Sequence, residues 1–253
     1  MISLRPRGEH QSLRHAAARQ GGGLIALSPW ALRDRHDEGA REALSRALVA
    51  SRVLFTSPAA VRAADRLLPL RAAAGHGYCW LGVGTGTRSA LLRLGLADAI
   101  CPPRMDSEGL LAMPQLQDVH GVRIGLVTAP GGRGALTPAM EARGAVVVRA
   151  DVYERVPVPL PAEPLRVFRA LSRPAVLAVS SGEALQRVLQ AAPEDIARQL
   201  RSLPAVVASE RLALQARQSG FPRVGVSRSA SPADLVAAAI EMTGPERGGR
   251  DGA

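Results

Sequence analysis

The chain has 253 residues and contains few of the residue types on which disulfide-rich and metal-binding proteins depend. Its two cysteines, Cys79 and Cys101, are too few for a disulfide framework and form no CxxC pair. Its five histidines are scattered without the spacing of metal ligands, so we expect no metal site. No apolar run approaches the ~18 residues that cross a membrane, and the start, MISLRPRGEHQ, lacks the apolar core of a secretory signal. These absences predict a soluble protein of a reducing compartment, the cytoplasm, with no membrane partner.

The charge is unbalanced toward the basic side. Lysine and asparagine are both absent, so the 32 basic residues are all arginines, against 22 acidic residues and a net charge of +10. A field of this sign favours an anionic partner. Aromatic residues make up only 3% of the chain, which leaves few surfaces on which nucleic-acid bases could stack, and the arginines are not gathered in one helix or tail. We therefore expect a small polyanionic ligand and no nucleic acid.

Short apolar runs rich in β-branched residues alternate with amphipathic helical stretches along the chain. The predicted strands lie near 2–5, 23–27, 52–55, 78–82, 122–127, 145–150, 175–178, 204–207 and 223–226. The helical patterns between them include 58–67, 86–94, 132–142, 181–192, 209–218 and 231–241. This alternation predicts an α/β fold with parallel sheets and helices on both faces.

Three stretches of the chain recur, which indicates an internal duplication. VLFTSPAAVRAADRLLP (53–69) resembles VLAVSSGEALQRVLQAAP (176–193), and residues 2–30 resemble residues 126–153. Residues 79–113 resemble residues 205–239, and in this pair Gly95 and Gly220 stand where a helix is predicted to end.

The order of these repeats leaves two domain arrangements open. If each domain kept its own consecutive half, one boundary would fall near residue 120. The alternative, in which the chain starts in one domain, builds the other and returns, is favoured by connectors at similar positions in the two repeats. This layout predicts an interdomain cleft beside a hinge, the usual place for a ligand. It assigns 1–26 plus 164–242 to domain A, 43–148 to domain B, 27–42 and 149–163 to the connectors, and 243–253 to a disordered tail.

A set of short motifs follows a fixed order over about residues 1–242. The motifs are Leu4-Arg5-Pro6, FTSPAAV (55–61), GVGTGTRSAL (82–91), SEGLL (107–111), RGAVV…VYER (143–155), VSSGEAL (179–185) and ASERLALQARQSGF (208–221). Each is short, but the ordered set resembles the uroporphyrinogen-III synthase family of porphyrin and heme biosynthesis. The chain departs from the family in the arginine-rich stretch 28–42 and at Ser3, where threonine is common.

The resemblance implies two similar parallel-sheet α/β domains joined by a two-stranded hinge, with the active cleft between them. It implies a cyclising hydro-lyase that converts hydroxymethylbilane, a linear tetrapyrrole with eight carboxylates, into uroporphyrinogen III, inverting the terminal pyrrole ring and releasing water. It implies no metal and no cofactor. The expected partner is the linear substrate, handed over by the preceding deaminase, and the expected state is a monomer. The alternative is a non-catalytic, two-lobed module of the same fold that binds small anions or regulates.

Departure of hydroxide from the substrate needs a proton donor, and Tyr153 is the candidate catalytic residue. A phenol is protonated at pH 7 and can act as a general acid. Tyr153 stands at the start of the return connector and matches the family's VY position. The alternative is an aromatic residue half-buried at an interface. Because the leaving group is already reactive, we expect loss of Tyr153 to slow the reaction without abolishing it.

The carboxylates of the substrate need hydrogen-bond donors, and helix N-termini offer free N–H groups and partial positive charge. Arg5 and Arg133, each after a strand, are candidates to grip a carboxylate with two parallel hydrogen bonds. For any one hydroxyl the alternative is a plain helix N-cap, and for the arginines a solvated or locally paired side chain. Thr87 matches Ser209 in the repeats, and Ser57 matches Ser181. The candidate residues in the turns are Thr56, Ser57, Gly84, Gly86, Thr87, Gly131, Gly132, Ser180, Ser181 and Ser209.

Two glycine-rich stretches do not predict nucleotide binding. GVGTGT (82–87) is not GxGxxG, and APGGRGAL (129–136) lacks the lysine of a P-loop.

Overall fold

The structure, a computed structural model, describes residues 1–73, 78–105, 107–131 and 134–243. The chain divides into two units. Unit 1 comprises Met1–Ala31 together with the chain from Pro157 onward, and unit 2 comprises Leu32–Val156.

The described residues form strands and helices that alternate along the chain. The strands are β1 (Ile2–Ser3), β2 (Ile25–Ala26), β3 (Trp30–Asp34), β4 (Arg52–Phe55), β5 (Cys79–Gly82), β6 (Arg123–Thr128), β7 (Val146–Asp151), β8 (Tyr153–Pro157), β9 (Leu177–Val179), β10 (Ala205–Val207) and β11 (Val224–Val226). The helices are α1 (Gln11–Ala18), α2 (Glu38–Leu48), α3 (Pro58–Leu67), α4 (Leu70–Ala73), α5 (Thr85–Arg93), α6 (Ser107–Leu111), α7 (Leu136–Glu141), α8 (Ala162–Arg169), α9 (Gly182–Ala191), α10 (Glu194–Ser202), α11 (Glu210–Gln218) and α12 (Pro232–Thr243). A 3-10 turn spans Pro114–Leu116.

Each unit contains one parallel sheet. The strand order is β11-β10-β9-β1-β2 in unit 1 and β5-β4-β6-β7 in unit 2. The predicted α/β fold with parallel sheets is confirmed. In unit 2 the chain leaves β4 toward β5 and leaves β6 toward β7, so the two connections diverge; the same happens at β9 and β1 in unit 1. Such a switch point opens a crevice at the carboxyl ends of the strands, where α/β proteins bind ligands.

The two sheets correspond strand by strand, as the sequence repeats predict. Strands β4 and β5 take the places of β9 and β10, and β6 and β7 take the places of β1 and β2. In the place of β11, Ile100 makes a single parallel bridge to Leu81. Helices α5 and α11 each end before a glycine with positive φ, +85° at Gly95 and +91° at Gly220. Glycine adopts this left-handed conformation without the steric cost that other residues incur, so both glycines terminate their helices as predicted.

Strands β3 and β8 form a separate two-stranded sheet. The pairing is antiparallel, since Arg35 N donates to Val152 O while Val158 N donates to Pro29 O. The chain passes from one unit to the other within these two strands. Both strands lie within the predicted connectors 27–42 and 149–163, and their pairing agrees with the two-stranded hinge that the family resemblance implies. No apolar run marks them in the sequence, because most of their side chains are half-exposed and mix charged with apolar residues. The limits given above for domains A and B stay predictions.

Each sheet has side chains packed on both faces. Along β9, Leu177 and Val179 pack in one core with Phe168, whereas Ala178 packs in the opposite core with residues of α1 and α12. In unit 2, Val53 and Phe55 of β4 likewise enter one core and Leu54 the other. Strands buried on both faces read as continuous apolar runs, which is why the sequence revealed them. In the described part of the chain, no helix has the length and apolar character needed to cross a membrane.

Candidate active site

A pocket of about 640 Å³, including its open mouth, lies at the carboxyl end of the unit 2 sheet. Its walls come from the residues that follow β4 and β6 and from β7, β8 and the start of α7, so it occupies the crevice at the switch point. The lining residues are Thr56, Ser57, Ser107, Leu126, Thr128, Ala129, Gly131, Gly134, Ala135, Leu136, Thr137, Arg149, Tyr153 and Arg155.

Tyr153, the candidate proton donor, presents its side chain to this pocket. It begins β8, and its ring is 4% exposed within the same core as Phe55 and Val152. Its hydroxyl oxygen lies 3.1 Å from Ser57 Oγ. The residue is therefore held by packing in the core, and it lines the pocket beside Ser57, the partner of its hydroxyl.

Two further predicted residues, Thr56 and Ser57, follow β4 and line the pocket. Thr56 Oγ1 donates to Thr128 Oγ1 at 2.8 Å, which joins the turn after β4 to the last residue of β6. Ser57 is the N-cap of α3, and its Oγ accepts a hydrogen bond of 3.0 Å from Ala60 N. The hydroxyl cap and the proline at the first helical position explain why α3 begins here.

Two arginines line the pocket wall, and the charge of one of them is offset by a neighbouring carboxylate. Arg149 projects from β7 and donates to both carboxylate oxygens of Asp151 and, at 3.0 Å, to the carbonyl of Ala129. Arg155 lines the pocket from β8. Positive charge and hydroxyl groups beside apolar side chains such as Leu126 suit an anionic ligand with an apolar framework.

The turn after β6 differs from its prediction. The sequence pattern placed a helix over 132–142, whereas α7 begins at Leu136, after Gly134 with φ of +60°. Gly131 lines the pocket as part of an irregular segment and not at a helix N-terminus. Gly132 and Arg133 lie outside the described residues. The predicted start was wrong because Gly134, within the expected helix, takes a positive φ that a helix does not allow.

Gly84, Gly86 and Thr87 are not among the residues that line the pocket. Gly84 is the N-cap of α5 and is buried, while Gly86 is exposed on the first turn of that helix. Thr87 is only 2% exposed, and its Cβ lies 3.0 Å from the position of a Cβ built on Gly82. It therefore packs against β5, so the structure does not bring its hydroxyl to a ligand surface.

The helix ends also correct one of the repeat equivalences. Gly95 and Gly220 each lie eleven residues after an N-cap, which is Gly84 in α5 and Ser209 in α11. Ser209 thus corresponds to Gly84, and the predicted match with Thr87 is wrong by three residues. The match of Ser57 with Ser181 agrees with the structure, since these serines cap α3 and α9.

In unit 1, the predicted residues follow the strands on either side of the switch point. Arg5 follows β1, and its guanidinium donates to Ser12 Oγ at 3.4 Å and to Ala230 O at 3.3 Å. Burial lowers the pKa of Arg5 from its ordinary value, although a guanidinium still keeps its charge in proteins. Because a guanidinium has five donors and these two bonds are long, Arg5 has donors left for a carboxylate.

The serines after the strands of unit 1 have mostly local roles. Ser181 Oγ accepts from Ala184 N at 3.3 Å and Ser209 Oγ accepts from Leu212 N at 3.4 Å, so both are N-caps. Ser180 is exposed at the carboxyl end of β9. For Ser181 and Ser209 the cap, which was the alternative to ligand binding, is the contact that the structure shows.

Sequence reasoning missed several features. The pocket of unit 2 is also lined by Ser107, Thr137 and Arg149. Arg149 and Asp151 are two residues apart at the end of a strand, and this spacing places both side chains on one face of the sheet. His10 is 7% exposed and lies between two buried serine hydroxyls of unit 1. No sequence pattern marked this contact, because it joins residues from three separate segments.

Within the described ranges, no three His, Cys, Asp or Glu side chains converge as a metal site requires.

Comparisons with known proteins agree with the resemblance seen in the sequence. The family model described as "Uroporphyrinogen-III synthase HemD" matches residues 11–237. The chain is 31% identical over 161 residues to the uroporphyrinogen-III synthase of Salmonella typhimurium and 29% identical over 161 residues to that of Escherichia coli. Each alignment covers 63% of this chain and 65% of the relative.

Two solved structures share the fold. A mutant uroporphyrinogen III synthase from Thermus thermophilus has a TM-score of 0.57 at 19% identity, and the uroporphyrinogen-III synthetase from Helicobacter pylori has a TM-score of 0.57 at 13% identity. Each comparison covers 95% of this chain and 98% of the other.

Proposed function

This chain belongs to the uroporphyrinogen-III synthase family, and on that premise we propose that it cyclises hydroxymethylbilane to uroporphyrinogen III, with inversion of the terminal pyrrole ring and loss of water. One observation carries the proposal: the hydroxyl of Tyr153 borders a pocket that also contains serine and threonine hydroxyls and the arginines Arg149 and Arg155. The protein would act in the cytoplasm as a monomer, on a substrate handed over by the preceding deaminase.

The first step in this proposal is loss of the terminal hydroxyl of the bilane. Tyr153 gives the phenol proton to that oxygen, the carbon–oxygen bond breaks, and the bonding electron pair leaves on the oxygen as water. The lone pair of the adjacent pyrrole nitrogen stabilises the carbon left behind, which gives an electrophilic azafulvene. When the ring later closes and sheds a proton, that proton returns to the phenolate oxygen, so Tyr153 ends as it began.

The second requirement is to hold a strongly anionic substrate. Arg149 and Arg155 would neutralise carboxylate arms beside the reacting ring. Within unit 1, Arg5 is the arginine proposed to bind a carboxylate. Exposed main-chain N–H groups at turns such as Gly131 would supply further donors. Because several donors bind the carboxylates, the loss of one hydroxyl, such as that of Ser209, should change the affinity for the substrate little.

The third requirement is to direct the electrophilic carbon onto the substituted carbon of the last ring before spontaneous closure gives the type I isomer. The bond from that ring carbon to its original methylene bridge must then break and re-form at the free carbon of the same ring, which inverts the ring and releases the proton. Holding the two reacting atoms in one geometry raises their effective concentration by orders of magnitude. In unit 2, Leu126 and Leu136 line the same pocket as the polar residues and would provide apolar contacts for a pyrrole face. The main task of the protein in this reaction would therefore be to control the orientation of the last ring, and acid catalysis would be secondary.

A coupled assay tests the proposal. Hydroxymethylbilane is generated in place by a deaminase, this protein is added, and the products are oxidised and separated into type I and type III uroporphyrin. We expect type III to predominate and to rise with protein concentration. If the folded protein gives only type I at the uncatalysed rate, the enzyme proposal is wrong, and the non-catalytic anion-binding module becomes the leading account.

A further inference from the structure

We propose that Ser57 is a positioning residue for Tyr153: its hydroxyl donates a hydrogen bond to the phenol oxygen and stabilises that oxygen once the phenol proton has left. The inference rests on the proposed function, because it takes Tyr153 as the proton donor. Two contacts carry it. Ser57 Oγ lies 3.1 Å from Tyr153 Oη, and the same Oγ accepts a hydrogen bond of 3.0 Å from Ala60 N.

The hydrogen-bond capacity of Ser57 determines what its hydroxyl can do. A serine hydroxyl has one hydrogen to donate and two lone pairs to accept with. The N–H of Ala60 occupies one lone pair, which fixes the oxygen against the first turn of α3 and leaves the hydrogen for another partner. The Tyr153 oxygen is within hydrogen-bond distance of that hydrogen.

The direction of this bond is set by the chemistry of the proton transfer. While Tyr153 is protonated, either hydroxyl can donate to the other. After Tyr153 has given its proton to the leaving hydroxyl, the phenolate has no hydrogen, so Ser57 is the donor and Tyr153 the acceptor. Hydrogen bonds to a charged oxygen are about twice as strong as neutral ones. The bond therefore strengthens as the carbon–oxygen bond breaks, which is the condition for lowering a barrier.

Both partners are held in place by independent structure. Tyr153 is 4% exposed and packs in the core of unit 2, while Ser57 is anchored by its cap and by Pro58 at the first position of α3. The two residues come from different elements, the turn after β4 and the start of β8. Neither side chain needs to reorganise during the step, so the donor is aligned in advance.

Comparison with the matching serine of unit 1 distinguishes the two roles of Ser57, which are to cap a helix and to contact the phenol. Ser181 holds the matching repeat position and caps α9 through Ala184 N. The two tyrosines of the chain are Tyr78 and Tyr153, and both belong to unit 2. The cap is thus the role that both repeats share, and the contact with a phenol belongs to Ser57.

The test uses substitutions that keep the cap and change the donor. Glycine caps helices nearly as well as serine but has no hydroxyl, whereas threonine keeps both functions. We expect Ser57→Gly to lower kcat for type III product on the order of tenfold with KM little changed, and Ser57→Thr to restore most of it. Ser181→Gly is the matched control for unfolding only, and both glycine variants should lower the Tm by similarly small amounts.

A double-mutant cycle with Tyr153→Phe shows whether Ser57 acts through the phenol. If it does, Ser57→Gly should slow the Tyr153→Phe protein by less than about twofold, because the oxygen it serves is gone. Equal effects of Ser57→Gly in the two backgrounds would overturn the inference, as would an unchanged kcat in Ser57→Gly or in Tyr153→Phe. These outcomes need an active wild type; a wild type that forms no type III product overturns the proposed function itself, and this inference with it.

Discussion

Acidifying the solution should destabilise unit 1 through one buried histidine, His10. Its imidazole is 7% exposed, with Nδ1 at 2.9 Å from Ser3 Oγ and Nε2 at 2.6 Å from Ser28 Oγ. Burial, followed by the positive charges of Arg14 and Arg5, lowers the pKa of His10 to about 4. The folded protein therefore holds this imidazole in its neutral form.

The size of the effect follows from the difference in pKa between the folded and unfolded chains. In the unfolded chain the imidazole returns to its ordinary pKa near ~6.5. Between the two values the unfolded state binds more protons, so the stabilisation is fully present above ~6.5 and is lost as the pH falls toward the folded value. With about 1.4 kcal/mol per pKa unit, the loss should be about 2 kcal/mol near pH ~5 and about 3 kcal/mol near pH ~4.

The measurement is urea unfolding across this pH range, followed by tryptophan fluorescence. The chain has two tryptophans, Trp30 in the core of unit 1 and Trp80 in the core of unit 2, so a Trp80→Phe background reports on unit 1. His10→Gln is the matched control, because an amide offers a donor and an acceptor but does not titrate. The difference between the two proteins removes the contribution of carboxyl groups such as Asp234, whose pKa is lowered chiefly by the hydrogen bond from Ser229.

We expect the stability of the His10 protein to fall more steeply with acidification than that of His10→Gln, by about 3 kcal/mol in total. Parallel curves for the two proteins would refute the reasoning, since they would mean that His10 binds its proton equally well in the folded and unfolded states. A histidine titration followed by NMR, with a midpoint near ~6.5 in the folded protein, would refute it independently.

Three further predictions concern the pocket, the anion site and the packing of unit 2. Tyr153→Phe should reduce the rate of type III formation by about tenfold to a hundredfold without abolishing it, and an undiminished rate would exclude the phenol as proton donor. Arg5→Gln should raise KM for the bilane about tenfold while leaving kcat nearly unchanged, because one charge-assisted contact is lost; a fall in kcat alone would contradict this role. Gly125→Ala should destabilise unit 2 by about 2 kcal/mol, because the added Cβ would lie 2.2 Å from the carbonyl oxygen of Ala47, whereas Gly39→Ala on the exposed start of α2 should cost nothing in thermal unfolding. Equal melting temperatures for these two glycine variants would show that α2 moves to accommodate the methyl group.

The fold was largely readable from the sequence because its main strands are short, apolar and buried on both faces. Strand β4, with the hydroxyl turn and helix that follow it, was predicted at its observed limits, and the repeats showed that β9 and α9 are built the same way. The two-stranded hinge formed by β3 and β8 was expected only from the family resemblance, because the half-exposed residues of these strands form no apolar run. The predicted start of α7 was wrong because Gly134, with a positive φ, lies within a stretch whose pattern is otherwise helical.

The sequence alone determined those features that depend on near neighbours. Ser57, Ser181 and Ser209 were recognisable as N-caps because each bonds an N–H only three residues away. The family resemblance likewise rests on short local motifs, and the match over residues 11–237 agrees with it.

Only the tertiary structure decided which side chains meet. The strand order brings the turn after β4 beside the start of β8, and so places the Ser57 hydroxyl against a phenol 96 residues away. The same packing turns Thr87 into the core and encloses His10 between serines from two strand ends. These contacts depend on the order and register of strands that are distant in sequence, and a local pattern of residues carries no information about either.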